Sequence, residues 1–205
     1  MNNKNISVDK TVEICQGQVI SGFRASTINK FSIDTRTINK NDIFISYKVE
    51  NNNGIKYIEE AFKKGAAGCI TEYDIPEEII KKYNDKLIIK VEDSIKALQN
   101  IAKYKRSLYD IPVVAVTGSV GKTSTKDIIA NVLGQEFNVA KTKGNYNNHL
   151  GVPLTILDWD DNTTAAVVEM GMNHAGEIEV LTKIAEPTVA VITNVGTAHI
   201  RIFRV

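Results

Sequence analysis

Val113-Val114-Ala115-Val116-Thr117-Gly118-Ser119-Val120-Gly121-Lys122-Thr123-Ser124 reads as strand, glycine loop and helix start. The four apolar residues suit a buried parallel strand, and Gly118 and Gly121 free the backbone to curl so that successive N–H groups point inward as an anion cradle. The helix that follows, from about Lys122 to Leu133, aims the positive end of its dipole at the same point, where Lys122 adds a full charge. Thr123 offers the hydroxyl that a Mg²⁺ ion takes beside bound phosphates. Val116 stands where the longer G-x-x-x-x-G-K-[ST] pattern has its first glycine, so only the tighter G-x-x-G-K-T core is present. The plain alternative is a glycine turn with a solvated lysine, but strand, both glycines, Lys-Thr and an amphipathic helix arrive in the order a phosphate site needs.

Downstream of that loop the pattern repeats strand, helix, strand. The helix ends near Gly134, a strand runs from about Phe137 to Ala140, and a segment from Pro153 to Leu157 follows a polar loop. Thr164 to Glu169 is an apolar run closed by a carboxylate, which is where a doubly wound parallel sheet keeps its chemistry. A helix over about 175–184 carries Ile178, Leu181 and Ile184 on one face, and Thr188 to Thr193 reads as another buried strand ending at Asn194-Val195-Gly196-Thr197-Ala198-His199. Upstream, from Val12 to about Asp110, short strands alternate with short helices without a phosphate loop. Strands are expected at Ile43–Tyr47, Ala67–Thr71 and Leu87–Val91, with helices from Ile55 to Gly65, from Pro76, and along Ile95, Leu98, Ile101, Ala102 and Leu108. Ile111-Pro112 ends the last of these. The expected organisation is α/β throughout: a small N-terminal domain over 1–109, then an incomplete P-loop domain with a mostly parallel sheet over 110–205.

Of the 205 residues, 43% are hydrophobic and 24% charged, which suits one large or two small globular domains. A net charge of +1 with interspersed signs gives no basic stripe and argues against nucleic acid. No apolar run approaches a membrane span and the first residues lead into no signal segment, so the expected location is the cytoplasm. Cys15 and Cys69 stand alone and read as small buried thiols.

Glu169 and His199 each follow an apolar strand, as the phosphate loop does, and adjacent strand ends would bring all three to one crevice. There a carboxylate and an imidazole suit a second divalent ion; singly, each also reads as an ordinary loop residue. Ser32, Asp34, Thr35 and Arg36 could anchor a diphosphate or form a salt-bridged surface turn. Gly144-Asn145-Tyr146-Asn147-Asn148-His149-Leu150-Gly151-Val152-Pro153 concentrates amides that suit a polar substrate or a turn, and Asn173 could meet a base edge or cap a helix.

Taken together, Thr117 to Ser124, Gly144 to Pro153, Glu169-Met170-Gly171-Met172-Asn173-His174-Ala175-Gly176-Glu177-Ile178, and Asn194 to His199 resemble the Mur ligases of peptidoglycan synthesis. The Glu169 to His174 block points to the branch that adds D-Ala-D-Ala to UDP-MurNAc-tripeptide. The resemblance spans 28–200 and implies an ATP-dependent ligase that forms an acyl phosphate on the tripeptide carboxylate for the D-Ala-D-Ala amine to attack. By that likeness ATP and Mg²⁺ are the cofactors, and UDP-MurNAc-tripeptide and D-Ala-D-Ala are the small-molecule partners of a usually monomeric enzyme. Gly118, Ser119, Val120, Gly121, Lys122, Thr123, Ser124, Asn173 and His174 then face the nucleotide. Lys122, Glu169 and His199 are the catalytic set, with Thr123, Glu169 and His199 at metal, while Ser32, Asp34, Thr35, Arg36, Asn145 and Asn148 face substrate. Arg201 to Val205 do not resemble the family's continuation, so a shortened, inactive chain with an uncovered apolar sheet edge is expected. A non-catalytic UDP-sugar or nucleotide-binding protein derived from such a ligase is the competing reading, and a kinase or GTPase would leave the Asn-rich loop unexplained.

Overall fold

The computed structural model describes residues 6–22, 28–49 and 54–196, and the chain divides between Ile101 and Ala102 into two units. The first unit holds α1 (Val8–Cys15), β1 (Gln18–Ser21), β2 (Phe31–Ser32), β3 (Ile43–Ser46), α2 (Gly54–Lys63), β4 (Gly68–Thr71), α3 (Glu77–Lys82) and β5 (Leu87–Lys90). Then α4 (Ser94–Ser107) runs through the division, which thus falls inside a helix rather than at the expected Tyr109. Its sheet has the order β1-β5-β4-β3-β2, parallel except for β1, which pairs antiparallel with β5. Every residue of β3 and β4 is buried, as befits parallel strands covered on both faces. On one face Phe44, Cys69 and Ile88 pack with Ile58, Ala61 and Phe62 of α2. The helical spacing of Ile58, Ala61 and Phe62 gives α2 its buried stripe, and Gly65, at φ 99°, ends the turn beyond it. The two thiols are buried, and burial pushes the Cys15 thiol up to about 12.

The second unit continues with β6 (Val113–Thr117), α5 (Lys122–Leu133), β7 (Val139–Lys141), α6 (Gly151–Leu157), β8 (Ala165–Glu169), α7 (Glu177–Ala185) and β9 (Val189–Ile192). Its four-stranded sheet is parallel, in the order β7-β8-β6-β9. Strand alternation divides the core. Val113, Ala115, Ala166, Val168 and Met170 face Val152 and Ile156 of α6 and Leu181 and Ile184 of α7, while Val114, Val116 and Val167 face Ala130 of α5. Each fully buried Val or Ile here contributes about 1.5–3 kcal/mol relative to an exposed one.

One expectation is overturned at β9. Read as a buried strand, it is an edge strand that pairs with β6 alone among the described strands, and Val189 and Ile192 are 51% and 64% exposed. Apolar β-branched composition marks a strand but carries no information on its place in the sheet. The expected strand at 137–140 lies two residues later, because Phe137 still bonds back to Leu133 as the helix unwinds.

Arg106 and Tyr109 tie the start of this unit to its far side. The Arg106 guanidinium donates to the carbonyls of Ala185, Glu186 and Tyr109, and so closes the C-terminus of α7. The Tyr109 hydroxyl donates to the carbonyls of Trp159 and Asp160, its ring meets Trp159 edge-on at 5.4 Å, and burial pushes its pKa up to about 12. Tyr109→Phe keeps the ring contact and removes the donor, so unfolding in urea, read from the single tryptophan, should show a loss of about 1 kcal/mol. A loss below ~0.3 kcal/mol would show that the hydroxyl adds nothing beyond the ring.

Candidate functional site

Parallel register brings the carboxyl ends of the second unit's strands to one edge. Val116 stands opposite Glu169, Thr117 opposite Ile192, and Lys141 opposite Val167. Four connections therefore leave the sheet side by side: the glycine loop after β6, the Asn-rich loop after β7, Glu169-Met170-Gly171 after β8, and Thr193 to Gly196 after β9.

The glycine loop differs from the expected ring of inward amides. The Ser119 N–H donates to the Asn194 carbonyl at 3.2 Å and the Val120 N–H to Asn194 Oδ1 at 2.9 Å, so both are committed to the neighbouring connection. The amides of Gly121, Lys122, Thr123 and Ser124 are instead first-turn groups that no intrahelical carbonyl can accept, which is the arrangement that suits an anion. Gly121 enters the helix in the left-handed region, at φ 84°. Gly118, at φ 134°, has a second requirement: a Cβ there would lie 2.1 Å from Thr193 Oγ1. Lys122 Nζ donates to the Gly118 carbonyl at 2.7 Å, which holds the ammonium across the loop, and the Thr123 and Ser124 side chains are exposed beside it.

Glu169 is 2% exposed and its environment is built by residues that the sequence does not single out. Its Oε1 accepts from Asn147 Nδ2 at 2.9 Å, and its backbone N–H donates to Thr142 Oγ1. Oε2 has no hydrogen-bond partner and lies 4.0 Å from Nζ of Lys126, a 3% exposed lysine of α5 that donates to the Thr142 carbonyl. An orphaned, buried carboxylate oxygen is the hard donor that a divalent cation takes, and the Thr123 hydroxyl is another. These donors fit Mg²⁺, which keeps several waters and uses one or two carboxylates together with phosphate oxygens. Among the described residues no three His, Cys, Asp or Glu side chains converge as a metal site. His199 lies outside the described residues.

The Asn-rich loop divides its work. Asn147 links it to β8, because the Asn147 carbonyl also accepts from the Gly171 N–H. Asn148 Oδ1 accepts the amides of Leu150 and Gly151 and so starts α6, while Asn145 is exposed and its carbonyl accepts from Asn147 N–H. Asn173 and His174 are exposed before α7, where the Glu177 carboxylate accepts both their backbone amides. Those amides, Asn173's foremost, hold the Glu177 carboxyl below the usual carboxylate range.

In the first unit, Arg36 turns its guanidinium onto Asp34, with Nη2 2.7 Å from Oδ2. That pair is the salt-bridged turn of the plainer reading, and the Arg36 hydrogen bonds lower the Asp34 pKa. Ser32 Oγ accepts the Asp34 N–H, and the buried Thr35 offers its carbonyl to Lys64. Each of these groups has an internal partner, Thr35 through Lys64 just beyond α2 and the others within the turn.

The Mur ligase middle domain matches residues 116–204 of this chain. The UDP-N-acetylmuramoyl-tripeptide–D-alanyl-D-alanine ligase of Bacillus subtilis is 38% identical over 196 residues, 95% of this chain and 42% of the relative. The enzyme of the same name from Synechocystis is 44% identical, covering 84% of this chain and 37% of the relative. Among solved structures, MurF from Acinetobacter baumannii superposes with a TM-score of 0.87 at 30% identity, covering 99% of this chain and 44% of that one. MurF ligase from Thermotoga maritima, in complex with ADP, does so with a TM-score of 0.73 at 37% identity, over 84% of this chain and 39% of that one. The chain thus spans about two fifths of the length of the curated relatives it matches. Motifs, parallel sheet, phosphate loop and these likenesses agree over nearly all of the sequence, and the chain belongs to the Mur ligase family.

Proposed function

We propose that this chain is part of an ATP-dependent ligase that joins D-Ala-D-Ala to UDP-MurNAc-tripeptide. The observation that carries the reading is the pairing of the loop at Gly118 to Ser124 with Glu169 at the same sheet edge, where Glu169 Oε2 is buried with no hydrogen-bond partner. ATP transfers its terminal phosphoryl group to the tripeptide carboxylate, the amine of D-Ala-D-Ala displaces phosphate from that acyl phosphate, and the amide, ADP and phosphate leave. The amides of Gly121 to Ser124 hold phosphate oxygens, and Lys122 neutralises charge as it moves off the phosphoryl group. Bound Mg²⁺ would supply further charge compensation, with Thr123 and Glu169 as its ligands from the described residues. Asn147 holds Glu169 in line with the substrate-facing loop that carries Asn145 and Asn148. In the first unit, Ser32, Asp34, Thr35 and Arg36 form the turn assigned to the UDP end of the substrate, and Arg36 would exchange Asp34 for diphosphate oxygens.

The test is ADP release from Mg-ATP by a full-length enzyme carrying this sequence. Release is expected only when UDP-MurNAc-tripeptide is present, and amide product only when D-Ala-D-Ala is added. ADP formed equally well without the muramyl peptide would contradict the reading.

A further inference from the structure

We infer that the connection Thr193 to Gly196 is a positioning brace for the phosphate loop, with Asn194 and Thr193 fixing which amides face the anion. The inference rests on the nucleotide reading above and adds residues to it that the motif does not contain. The polar groups that would let Ser119 and Val120 turn are engaged by this connection. The Ser119 N–H donates to the Asn194 carbonyl, and the Val120 N–H to Asn194 Oδ1. Ser119 Oγ accepts from the Gly196 N–H at 2.9 Å, and the Val120 carbonyl accepts from Thr193 Oγ1 at 2.6 Å. Val120 is thus held from both its N–H and its C=O by adjacent residues of another strand's end. The absence of a side chain at Gly118 is what admits Thr193 so closely.

A four-residue glycine loop is soft, and its amides can point at an anion or away from it. With Ser119 and Val120 pinned, the amides of Gly121 to Ser124 keep one arrangement before the phosphate arrives, which removes an ordering cost from binding. Asn194 touches no phosphate in this account. Its effect passes through the backbone of Ser119 and Val120.

The experiment measures binding of a fluorescent ADP analogue to the chain, beside urea unfolding read from Trp159. Asn194→Ala and Thr193→Val should each weaken binding about three- to tenfold, while Thr193→Ser, which keeps the hydroxyl, stays within about twofold of the parent. Because both residues hold Val120, the double variant should lose less than the product of the two single losses. A brace that served stability alone would lower the urea midpoint and leave the affinity of the folded chain as it was, and that result would overturn the inference. Parent-like binding by both Asn194→Ala and Thr193→Val would overturn it while the nucleotide reading stands. A parent chain that does not bind the analogue would instead remove the nucleotide reading and the inference with it.

Discussion

Lys122→Ala should lower ADP release by the full-length enzyme about a hundred- to a thousandfold. The side chain is half-buried at the first residue of α5, and its hydrogen bond to the Gly118 carbonyl spans the loop that would hold phosphate. Exchange of that carbonyl for a phosphate oxygen needs only a lysine rotamer change, because Gly118 and Gly121 hold their own backbone positions. The ammonium acts where negative charge shifts during phosphoryl transfer, a place at which the amides of one helix turn supply only partial charges. Lys122→Arg should not restore the rate, since a planar fork does not reproduce a compact point charge. Steady-state ADP release at saturating substrates measures both variants, and a Lys122→Ala rate within about threefold of the parent would remove the lysine from the chemistry.

The second large effect is on stability. Lys126→Met should cost about 3–5 kcal/mol in the second unit, because it leaves the Glu169 carboxylate buried without its cation. The substitution keeps the length and apolar stem of the side chain, so the cost measures charge rather than volume. Asp127 does not replace the lost interaction, being itself an acid bound to Lys141 at 2.8 Å. The decisive comparison is the double variant Lys126→Met with Glu169→Gln, which removes both charges and should recover most of the loss. Urea unfolding read from Trp159 measures all of these, since that tryptophan lies in the core of the same unit. A single-variant cost below about 1 kcal/mol, or no recovery in the double, would show that Glu169 does not depend on Lys126.

Much of this site is legible in the sequence because its chemistry is local. Gly118, Gly121, Lys122 and Thr123 lie within six positions, and strand, loop and helix follow one another without help from elsewhere. Glu169 is also legible, as a carboxylate at the end of an apolar run. What escapes is every partner that arrives through the sheet. Lys126 carries no signal of its own in the sequence, and only the packing of α5 against β8 makes it the buried neighbour of Glu169. Asn147 looks no different from Asn145 and Asn148, and only its place against Gly171, where a Cβ would lie 3.1 Å from the Asn147 amide, sets it apart. Asn194 reads as the first residue of a motif ending in His199, whereas its own contacts are with Ser119 and Val120. That β9 in particular takes the edge is not legible in its own residues, because strand order in a parallel sheet is set by crossovers that composition does not record. At the N-terminus the antiparallel β1 carries too few residues for its alternation to show, and the internal pairing of Asp34 with Arg36 competes with any ligand for the same guanidinium.

The central claim is that the loop between β6 and α5 holds nucleotide phosphate through the first turn of α5. The most direct measurement is a titration of the ¹⁵N-labelled chain with ADP and Mg²⁺, followed amide by amide. The expected result is that Gly121, Lys122, Thr123 and Ser124 shift together and saturably, while Ser119 and Val120, bonded to Asn194, move far less. Saturable shifts confined to the first unit, or no shift at these four amides, would contradict the account.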